Sequence, residues 1–289
     1  MKNPKDIALV LGSGGARGIA HIAIIEELVN AGFNIKSIAG SSIGALIGSV
    51  FAGGNLNGLK QWLQELNYWG VFQLMDFSIS NKGFIKGERV FNVIDPYLPK
   101  GNIEDLPIPF VAVTADIINK KPVVLASGNV RDAVRASMSI PTVLKPVQKN
   151  GTLYVDGSIV NPLPVNLVKR HPNDLLVVAD LNAHIPQANI KITKSQQSKL
   201  DELTSMFLKW HTQSSPNNNL GVFDMLNESF DLTQNMLAAQ ILANNKPDIH
   251  IEISRKACDT MDFHKSDKML AIGKEAALKA IEKIYTTQQ

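Results

Sequence analysis

The stretch Ala39-Gly40-Ser41-Ser42-Ile43-Gly44-Ala45 contains a G-x-S-x-G pentapeptide with Ser42 at its centre. Residues 35–39 before it are typical of a short strand, and residues 45–52 after it are small and apolar, as in a buried helix. A sharp turn from strand to helix holds such a serine in a strained, exposed position above the helix N-terminus. The two glycines are needed because a Cβ would collide where strand and helix approach. The pattern favours a nucleophilic serine, although a plain glycine-rich turn also produces it.

Strand and helix patterns alternate through the N-terminal part of the chain. Residues 6–11 are a continuous apolar run typical of a buried strand. Residues 19–31 have the apolar spacing of an amphipathic helix, and Gly32 stands where a C-cap glycine belongs. Together with the strand and helix around Ser42 they make a β-α-β-α unit, which implies parallel strands joined by a right-handed crossover.

The remaining patterns extend this α/β reading over the whole chain. Strands are predicted at 109–116, at 121–126 pairing next to it and, after a hairpin turn at Asn150-Gly151, at 152–156. Helical patterns lie at 56–77 (with a turn), 88–97, 132–138, 219–243 and 268–285. The expected architecture is a three-layer α/β/α fold around a mixed, mostly parallel sheet. We expect a single domain over residues 1–289, with a core at about 5–185 and further helical and strand elements at 186–289.

The glycine-rich loop at residues 12–18 is open to two chemistries. A dinucleotide fingerprint needs a third glycine, where Arg17 stands, and a carboxylate at the end of the next strand, which is missing. A phosphate loop of the form G-x-x-x-x-G-K-[ST] is absent as well. The alternative is an oxyanion hole, in which free N–H groups of the loop face a developing negative charge. Because loops at the carboxyl edge of adjacent parallel strands lie together, we expect this loop to share one site with Ser42.

Composition excludes several classes of protein. The net charge of +3 is small and scattered, and aromatic residues are not interleaved with basic clusters, which argues against a nucleic-acid partner. Cys258 is the single cysteine, so there is no disulfide framework and no thiolate metal cage. The uncharged stretch 37–59 is long enough to span a bilayer but rich in glycine, serine and asparagine, which favours a buried strand, turn and helix. No signal peptide pattern follows the N-terminus, so a cytoplasmic protein without a transmembrane segment is expected.

Two further stretches bear on function. The strand at 152–156 delivers Asp156 into a glycine turn, which projects a carboxylate outward, although an Asp-Gly pair is in most cases only a turn signal. The segment 62–77 is rich in large apolar side chains, among them Trp62, Trp69 and Phe72. Its simplest interpretation is a helix and turn packed over the core, and its functional interpretation is part of an acyl-chain channel or an interfacial cap.

The order of these motifs resembles the patatin-like phospholipases, in particular their bacterial branch. The matching stretches are Ser13-Gly14-Gly15-Ala16-Arg17-Gly18, Gly40-Ser41-Ser42-Ile43-Gly44 and Asp156-Gly157-Ser158, with further similarity at 135–141, 161–165, 247–251 and 273–277. The resemblance covers nearly all of the chain, and three ordered motifs are specific together where each alone is not. Two positions depart from the family pattern: Ser13 replaces the first glycine of a triplet, and Ser158 replaces a glycine or alanine. Neither change removes a backbone N–H or Asp156.

The resemblance implies a serine lipid acyl hydrolase with a Ser-Asp dyad and no catalytic histidine. Ser42 would attack the ester carbonyl, and Asp156 would accept its proton directly or through water. The amides of Gly14 and Gly15, with Arg17 nearby, would stabilise the oxyanion. No metal and no organic cofactor is required. The implied partner is a lipid or acyl-ester substrate, with room for peripheral contact with a membrane surface, and the oligomeric state stays open.

Two alternatives stay open from the sequence. A histidine-assisted esterase of the α/β-hydrolase type would carry its base downstream of the serine, and five histidines lie there: His171, His184, His211, His250 and His264. None stands in a recognisable catalytic loop, and His21 lies on the first helix as a packing or capping residue. The second alternative is a regulatory protein that keeps the fold without useful turnover, against which the intact Ser42 and Asp156 argue.

Overall fold

The computed structural model describes residues 5–74, 88–141, 143–149, 151–187 and 221–287. Its strands are β1 (Lys5–Leu11), β2 (Phe33–Ser41), β3 (Phe110–Asp116), β4 (Lys121–Leu125), β5 (Val147–Lys149), β6 (Thr152–Asp156), β7 (Leu175–Ala183) and β8 (Ile249–Ser254). Its α-helices are α1 (Ala20–Asn30), α2 (Ile43–Ala52), α3 (Leu56–Glu65), α4 (Tyr68–Leu74), α5 (Glu88–Ile94), α6 (Val130–Ser137), α7 (Val222–Asn244) and α8 (Ser266–Thr287). Short 3₁₀ turns connect them, including Gly15–Ile19 in the glycine-rich loop and Gly157–Ile159 after β6.

The eight strands form one mixed sheet. Its order is β5-β6-β3-β2-β1-β7-β8, and β4 also pairs with β3. The pairs β1–β2, β1–β7, β2–β3 and β7–β8 are parallel, whereas β4 and β6 run antiparallel to β3 and β5 antiparallel to β6. The predicted mixed, mostly parallel α/β sheet is therefore confirmed.

Side chains of the central strands alternate between two apolar layers. Along β1, Ile7, Leu9 and Leu11 belong to the larger cluster, which the buried faces of α1, α2 and α8 complete. Ala8 and Val10 point to the other face and join a smaller cluster that α7 covers through Ala238. Because every β1 residue from Ile7 to Leu11 is fully buried, this strand reads as a continuous apolar run and not as an alternating one.

The predicted elements differ from the observed ones mainly at their ends. Strand β2 covers residues 33–41, two to each side of the predicted 35–39, and α2 begins at Ile43, immediately after the serine. The predicted 56–77 segment is two helices, α3 and α4, and its residues 75–77 lie outside the described part. Residues 188–220 also lie outside the described part, including the first two residues of the helix predicted at 219–243.

The uncharged stretch at 37–59 is built into the core. It forms the end of β2, all of α2 and the start of α3, and most of its side chains are buried against the sheet. Within the ranges that the structure describes, no helix combines the length and the apolarity needed to cross a membrane.

Candidate active site

Strands β2 and β6 meet end to end on one edge of β3, and this junction creates the site. Ser41, the last residue of β2, pairs with Val113, and Asp156, the last residue of β6, pairs with the next residue, Thr114. Both strands lie on the same edge because β4 pairs with residues 112–116 along the other edge. Since β2 is parallel and β6 antiparallel to β3, their carboxyl ends face each other. Ser42 and Asp156 are therefore neighbours in space.

Ser42 occupies a strained turn between β2 and α2. Its φ and ψ are 55° and −123°, outside the regions that a serine readily adopts. The turn is close-packed, since a Cβ on Gly40 would lie 2.5 Å from the carbonyl oxygen of Gly44. One on Gly44 would lie 2.1 Å from the carbonyl oxygen of Leu11. The two glycines are thus required by close backbone approach, as the sequence predicts.

The hydroxyl of Ser42 donates to Asp156. The distance from Ser42 Oγ to Asp156 Oδ2 is 2.5 Å, and both residues are buried. The second carboxylate oxygen, Oδ1, accepts the amide N–H of Ser158 at 2.8 Å. Burial raises the pKa of Asp156 to about 6, although hydrogen bonds from Ser158 and Ser42 offset part of that effect. The carboxylate is ionised at neutral pH and holds a proton more tightly than an ordinary aspartate.

Several backbone contacts fix the two residues relative to each other. The N–H of Ser42 donates to Ser137 Oγ at 3.0 Å, and the N–H of Asp156 donates to the Ser139 carbonyl at 2.9 Å. Ser137 ends α6 and Ser139 follows it, so one helix end supports both sides of the junction. Gly157 also packs tightly, because a Cβ there would lie 2.1 Å from the Val113 carbonyl oxygen. These contacts hold two turns against the end of β3: the strained turn between β2 and α2, which we call the Ser42 elbow, and the turn that follows Asp156.

The glycine-rich loop follows β1, which lies next to β2, and several of its backbone N–H groups donate to backbone carbonyls. Gly12 and Ser13 donate to the carbonyls of Ala179 and Pro162, both at 3.0 Å. Ala16 donates to the Thr260 carbonyl at 2.8 Å, and Arg17 to the Gly14 carbonyl at 3.2 Å. The N–H groups of Gly14 and Gly15 have no backbone acceptor within the described part of the chain. The family resemblance implies the amides of these two glycines as oxyanion-hole donors, and that role stays a prediction.

The side chain of Arg17 makes its hydrogen bonds to the segment after β8 and to the end of β7. Its guanidinium donates to the carbonyls of Cys258 at 2.8 Å and Arg255 at 3.3 Å, and to Asn182 Oδ1 at 2.8 Å. The side chain is almost fully buried, with 7% of its surface exposed. Its contacts therefore link the glycine-rich loop to the segment after β8 and to the end of β7. We interpret Arg17 as a residue that positions this loop.

An apolar cavity of about 80 Å³ includes in its lining Ile43, the residue that follows the serine. Ile43, the residue after Ser42, and Leu46, one turn further along α2, form one wall. The other walls are apolar side chains of α3, α4, α5 and two flanking loops: Trp62, Leu63, Leu66, Val71, Leu74, Val90, Ile94, Met138, Met261 and Phe263. The side chains of Trp69 and Phe72 stack on each other with ring centroids 5.4 Å apart, and they are 52% and 38% exposed. The segment around α4 thus lines a cavity on one side and presents aromatic rings to solvent on the other.

Three of the histidines that the structure describes make other contacts, and His211 lies outside the described residues. His21 is fully buried on α1, where its Nε2 lies 2.8 Å from the Gly12 carbonyl oxygen and burial lowers its pKa to about 4. His250 lies on β8, 3.9 Å from Asp180, and the ring of His264 packs edge-on against Tyr68. Across the described ranges, no cluster of three or more metal-binding side chains was found. The acceptor for the Ser42 hydroxyl is thus a carboxylate.

Sequence reasoning did not assign roles to Ser137, Ser139 or Asn182. Ser137 and Ser139 lie in the stretch 135–141 that contributes to the family resemblance, which is the one signal that could have marked them. Asn182 stands near the end of a strand in a region with no motif.

Ser158, which departs from the family pattern, also makes a side-chain contact. Its Oγ accepts a hydrogen bond from Gln234 of α7 at 2.9 Å. That bond ties α7 to the turn that carries Asp156.

Comparison with known proteins agrees with these motifs. Residues 9–169 match the family model described as patatin-like phospholipase. An uncharacterized NTE family protein of Mycobacterium tuberculosis is 30% identical over 96% of this chain and 91% of its own length. The rat patatin-like phospholipase domain-containing protein 7 is 28% identical over 92% of this chain but only 20% of its own length. The crystal structure of VipD from Legionella pneumophila is a distant likeness, with 12% identity, a TM-score of 0.44 and coverage of 97% of this chain and 67% of that one. By the family model and the mycobacterial relative, the chain belongs to the patatin-like phospholipase family.

Proposed function

We propose that this protein is a serine lipid acyl hydrolase in which Ser42 is the nucleophile and Asp156 the general base. The observation that carries the proposal is the 2.5 Å contact between Ser42 Oγ and a buried Asp156 carboxylate at a strained turn. A serine becomes nucleophilic when an adjacent base accepts its proton. Membership of a family that includes esterases supports the reaction class, and a fly relative named neuropathy target esterase, 30% identical over 73% of this chain and 15% of its own length, points the same way.

The contacts support a two-step reaction. In the first step the Ser42 proton moves to Asp156 as Oγ attacks the ester carbonyl carbon, and the negative charge develops on the carbonyl oxygen. Collapse of this intermediate breaks the bond to the alcohol, which leaves with the proton from Asp156. In the second step a water molecule gives a proton to Asp156 and attacks the acyl carbon of the acyl-enzyme. The bond from the acyl carbon to Ser42 Oγ then breaks, the proton on Asp156 returns to Oγ, and the carboxylic acid leaves. A base whose pKa is about 6 suits both proton transfers near neutral pH.

The amides of Gly14 and Gly15 are the proposed donors to the developing oxyanion. They are the two N–H groups of the loop without a backbone acceptor in the described residues, and the loop packs against the start of α2. A Cβ on Gly18 would lie 2.2 Å from the Ile43 side chain, which shows how closely the two segments approach. Losing one such donor typically costs about 3 kcal/mol in the transition state.

The apolar cavity supports a lipid as the substrate. Its lining includes Ile43, adjacent to the proposed nucleophile, and among the residues that the structure describes it consists of apolar side chains. The first methylene groups of an acyl chain esterified to Ser42 would be sheltered there, since burying apolar surface is favourable by about 25 cal/mol per Å². The exposed Trp69–Phe72 pair on α4 is the proposed point of contact with a membrane surface, because aromatic side chains favour the membrane–water interface.

A test of the proposal is labelling with a fluorophosphonate, read by intact-mass analysis, alongside hydrolysis of a soluble ester. Wild-type protein should gain one probe per chain, and Ser42→Ala should lose both the labelling and the turnover. Ser49→Ala is a matched control, because Ser49 is another buried serine on α2 whose Oγ donates to the Leu46 carbonyl within the helix. Full turnover by a folded Ser42→Ala protein would remove this site from the reaction. A wild-type protein that neither takes the probe nor hydrolyses esters would favour the regulatory alternative.

A further inference from the structure

Asn182 is bound on both sides of its amide group, next to the glycine-rich loop. It lies near the end of β7, half-buried, and its Nδ2 donates to the Ser13 carbonyl at 2.8 Å. Its Oδ1 accepts from Arg17 Nη2, also at 2.8 Å. A guanidinium can only donate and a carbonyl can only accept, so these two partners fix which end of the amide faces which neighbour. Its own N–H donates to Asp180 Oδ1 at 2.9 Å, which ties down its backbone as well.

The bond to Ser13 also sets the direction of a neighbouring N–H group. The Ser13 carbonyl and the Gly14 N–H belong to one planar peptide unit, and in a trans peptide they point in opposite directions. Asn182 holds the carbonyl on the side of β7, so the N–H of Gly14 is turned away from β7. Strands β7 and β2 flank β1 on opposite edges. The N–H therefore faces the side of the sheet on which Ser42 lies.

The next peptide unit is fixed by a different contact. The Gly14 carbonyl accepts the N–H of Arg17 at 3.2 Å, within the 3₁₀ turn, and that bond orients the Gly15 N–H. The Ser13–Gly14 peptide has no such bond from within the turn, and its carbonyl is held by a side chain from another strand. If that peptide rotated, its carbonyl oxygen would face the reacting centre and repel the negative charge that forms there.

We propose that Asn182 is a positioning residue that aims the Gly14 N–H at the substrate carbonyl, with Arg17 acting through it. The inference rests on the proposed function, since it concerns the oxyanion hole of that same reaction. Arg17 is anchored to the carbonyls of Cys258 and Arg255, and its remaining contact holds Asn182 Oδ1. The buried arginine thus supports the oxyanion without touching it.

The informative variant is Asn182→Asp. It keeps the shape of the side chain and an acceptor for Arg17, but it replaces the donor to the Ser13 carbonyl with an oxygen that repels it. We expect kcat on a soluble ester to fall about 10- to 100-fold with KM changed less than about twofold, because the lost interaction is one made in the transition state. The rate of fluorophosphonate labelling should fall in parallel, whereas its end point should stay at one probe per chain.

Asn245→Asp is the matched control. Asn245 is also half-buried and donates its Nδ2 to a backbone carbonyl, that of Ile241 at 2.9 Å, after the end of α7. It should retain wild-type kcat. If Asn182→Asp does not fold, Asn182→Ala, which removes both bonds without adding a charge, should show the same loss of kcat.

Two outcomes would overturn the inference. One is a folded Asn182→Asp or Asn182→Ala protein with kcat within about twofold of wild type. The other is a fall in the fraction of chains that take the probe with an unchanged rate in the remainder, which is the signature of a structural defect. Either result, with Ser42→Ala still inactive, leaves the proposed function intact. Turnover by Ser42→Ala would instead count against the proposed function itself.

Discussion

The two sides of the Ser42 elbow are built in opposite ways. On one side the junction of β2, β3 and β6 is polar and tightly bonded, with Ser42, Asp156 and their neighbours each held by hydrogen bonds of 2.5–3.0 Å. On the other side α3, α4 and α5 border a cavity of about 80 Å³ whose lining, as far as the described residues go, is apolar. The first side is held by hydrogen bonds and by close backbone approach at Gly40, Gly44 and Gly157, and the second is formed by apolar side chains.

Under the proposed function, this difference separates the residues of the reaction from those that select the substrate. Electrostatic stabilisation depends on groups held in place before the reaction, so the polar side should tolerate almost no change. The apolar side acts through contact area, in which a methylene group contributes about 1 kcal/mol, so changes there should be graded. Substitutions on the two sides should thus differ in size and in which kinetic constant they alter.

The largest effect on the polar side, after loss of Ser42, is expected from Asp156→Asn. This change removes the proton acceptor and nearly preserves shape, so kcat should fall about 10²–10⁴-fold. His250→Gln and His264→Gln serve as controls and should keep wild-type rates. An inactive histidine variant beside an active Asp156→Asn protein would favour the histidine-assisted esterase.

The same variant should be more stable than the wild type. Burial raises the pKa of Asp156 from 3.8 to about 6, so the folded protein binds this proton more tightly than the unfolded chain does. Ionisation of this carboxyl group therefore lowers the free energy of unfolding as pH rises from about 4 to 6. Above that range the free energy of unfolding stays about 2–3 kcal/mol lower than it would be with Asp156 protonated. Denaturant unfolding should find Asp156→Asn more stable at pH 7 and equal to wild type near pH 3. Equal stability at both pH values would contradict the raised pKa.

An intermediate effect is expected from acid. Protonated Asp156 cannot accept the Ser42 proton, so kcat/KM should fall about tenfold per unit below pH 6. Since a free imidazole titrates at about 6.5, this limb alone does not distinguish the two bases. The residual activity of Asp156→Asn does distinguish them, because kcat/KM of this variant should no longer fall below pH 6. A fall that persists in this variant would point to another titrating group.

The smallest effects are expected on the apolar side, where Leu66 and Trp69 form a matched pair. Leu66 lines the cavity, so Leu66→Ala should change the ratio of long-chain to acetyl ester turnover several-fold. Trp69 faces solvent, so Trp69→Ala should leave that ratio unchanged and weaken turnover of anionic phospholipid vesicles about twofold or more. Leu278→Ala, at an exposed position of α8, is the control for both. A changed chain-length ratio in Trp69→Ala and not in Leu66→Ala would reverse the assignment of the two faces.

Local patterns were enough to predict much of the fold. The apolar run of β1, the amphipathic spacing of α1 and the glycines around Ser42 each report on a few consecutive residues, and all three appear where they were predicted. Element ends were less accurate, as at α2, which begins at Ile43 because the turn itself supplies the first helical residue. Ser42, Asp156, Gly14 and Gly15 could be singled out as candidates because motif order survives in the linear sequence.

What the sequence determined by itself is which residues are candidates for the chemistry and which runs are buried, because residue type and spacing are local properties. Only the tertiary structure decided that β2 and β6 end against each other on one edge of β3, a junction formed between residues more than a hundred positions apart. It alone directed Arg17 to the carbonyls near Cys258 and brought Asn182 to Ser13. Such contacts leave no periodic signal, because a hydrogen bond between distant segments depends on how the strands are ordered in the sheet and not on what stands beside each residue in the chain.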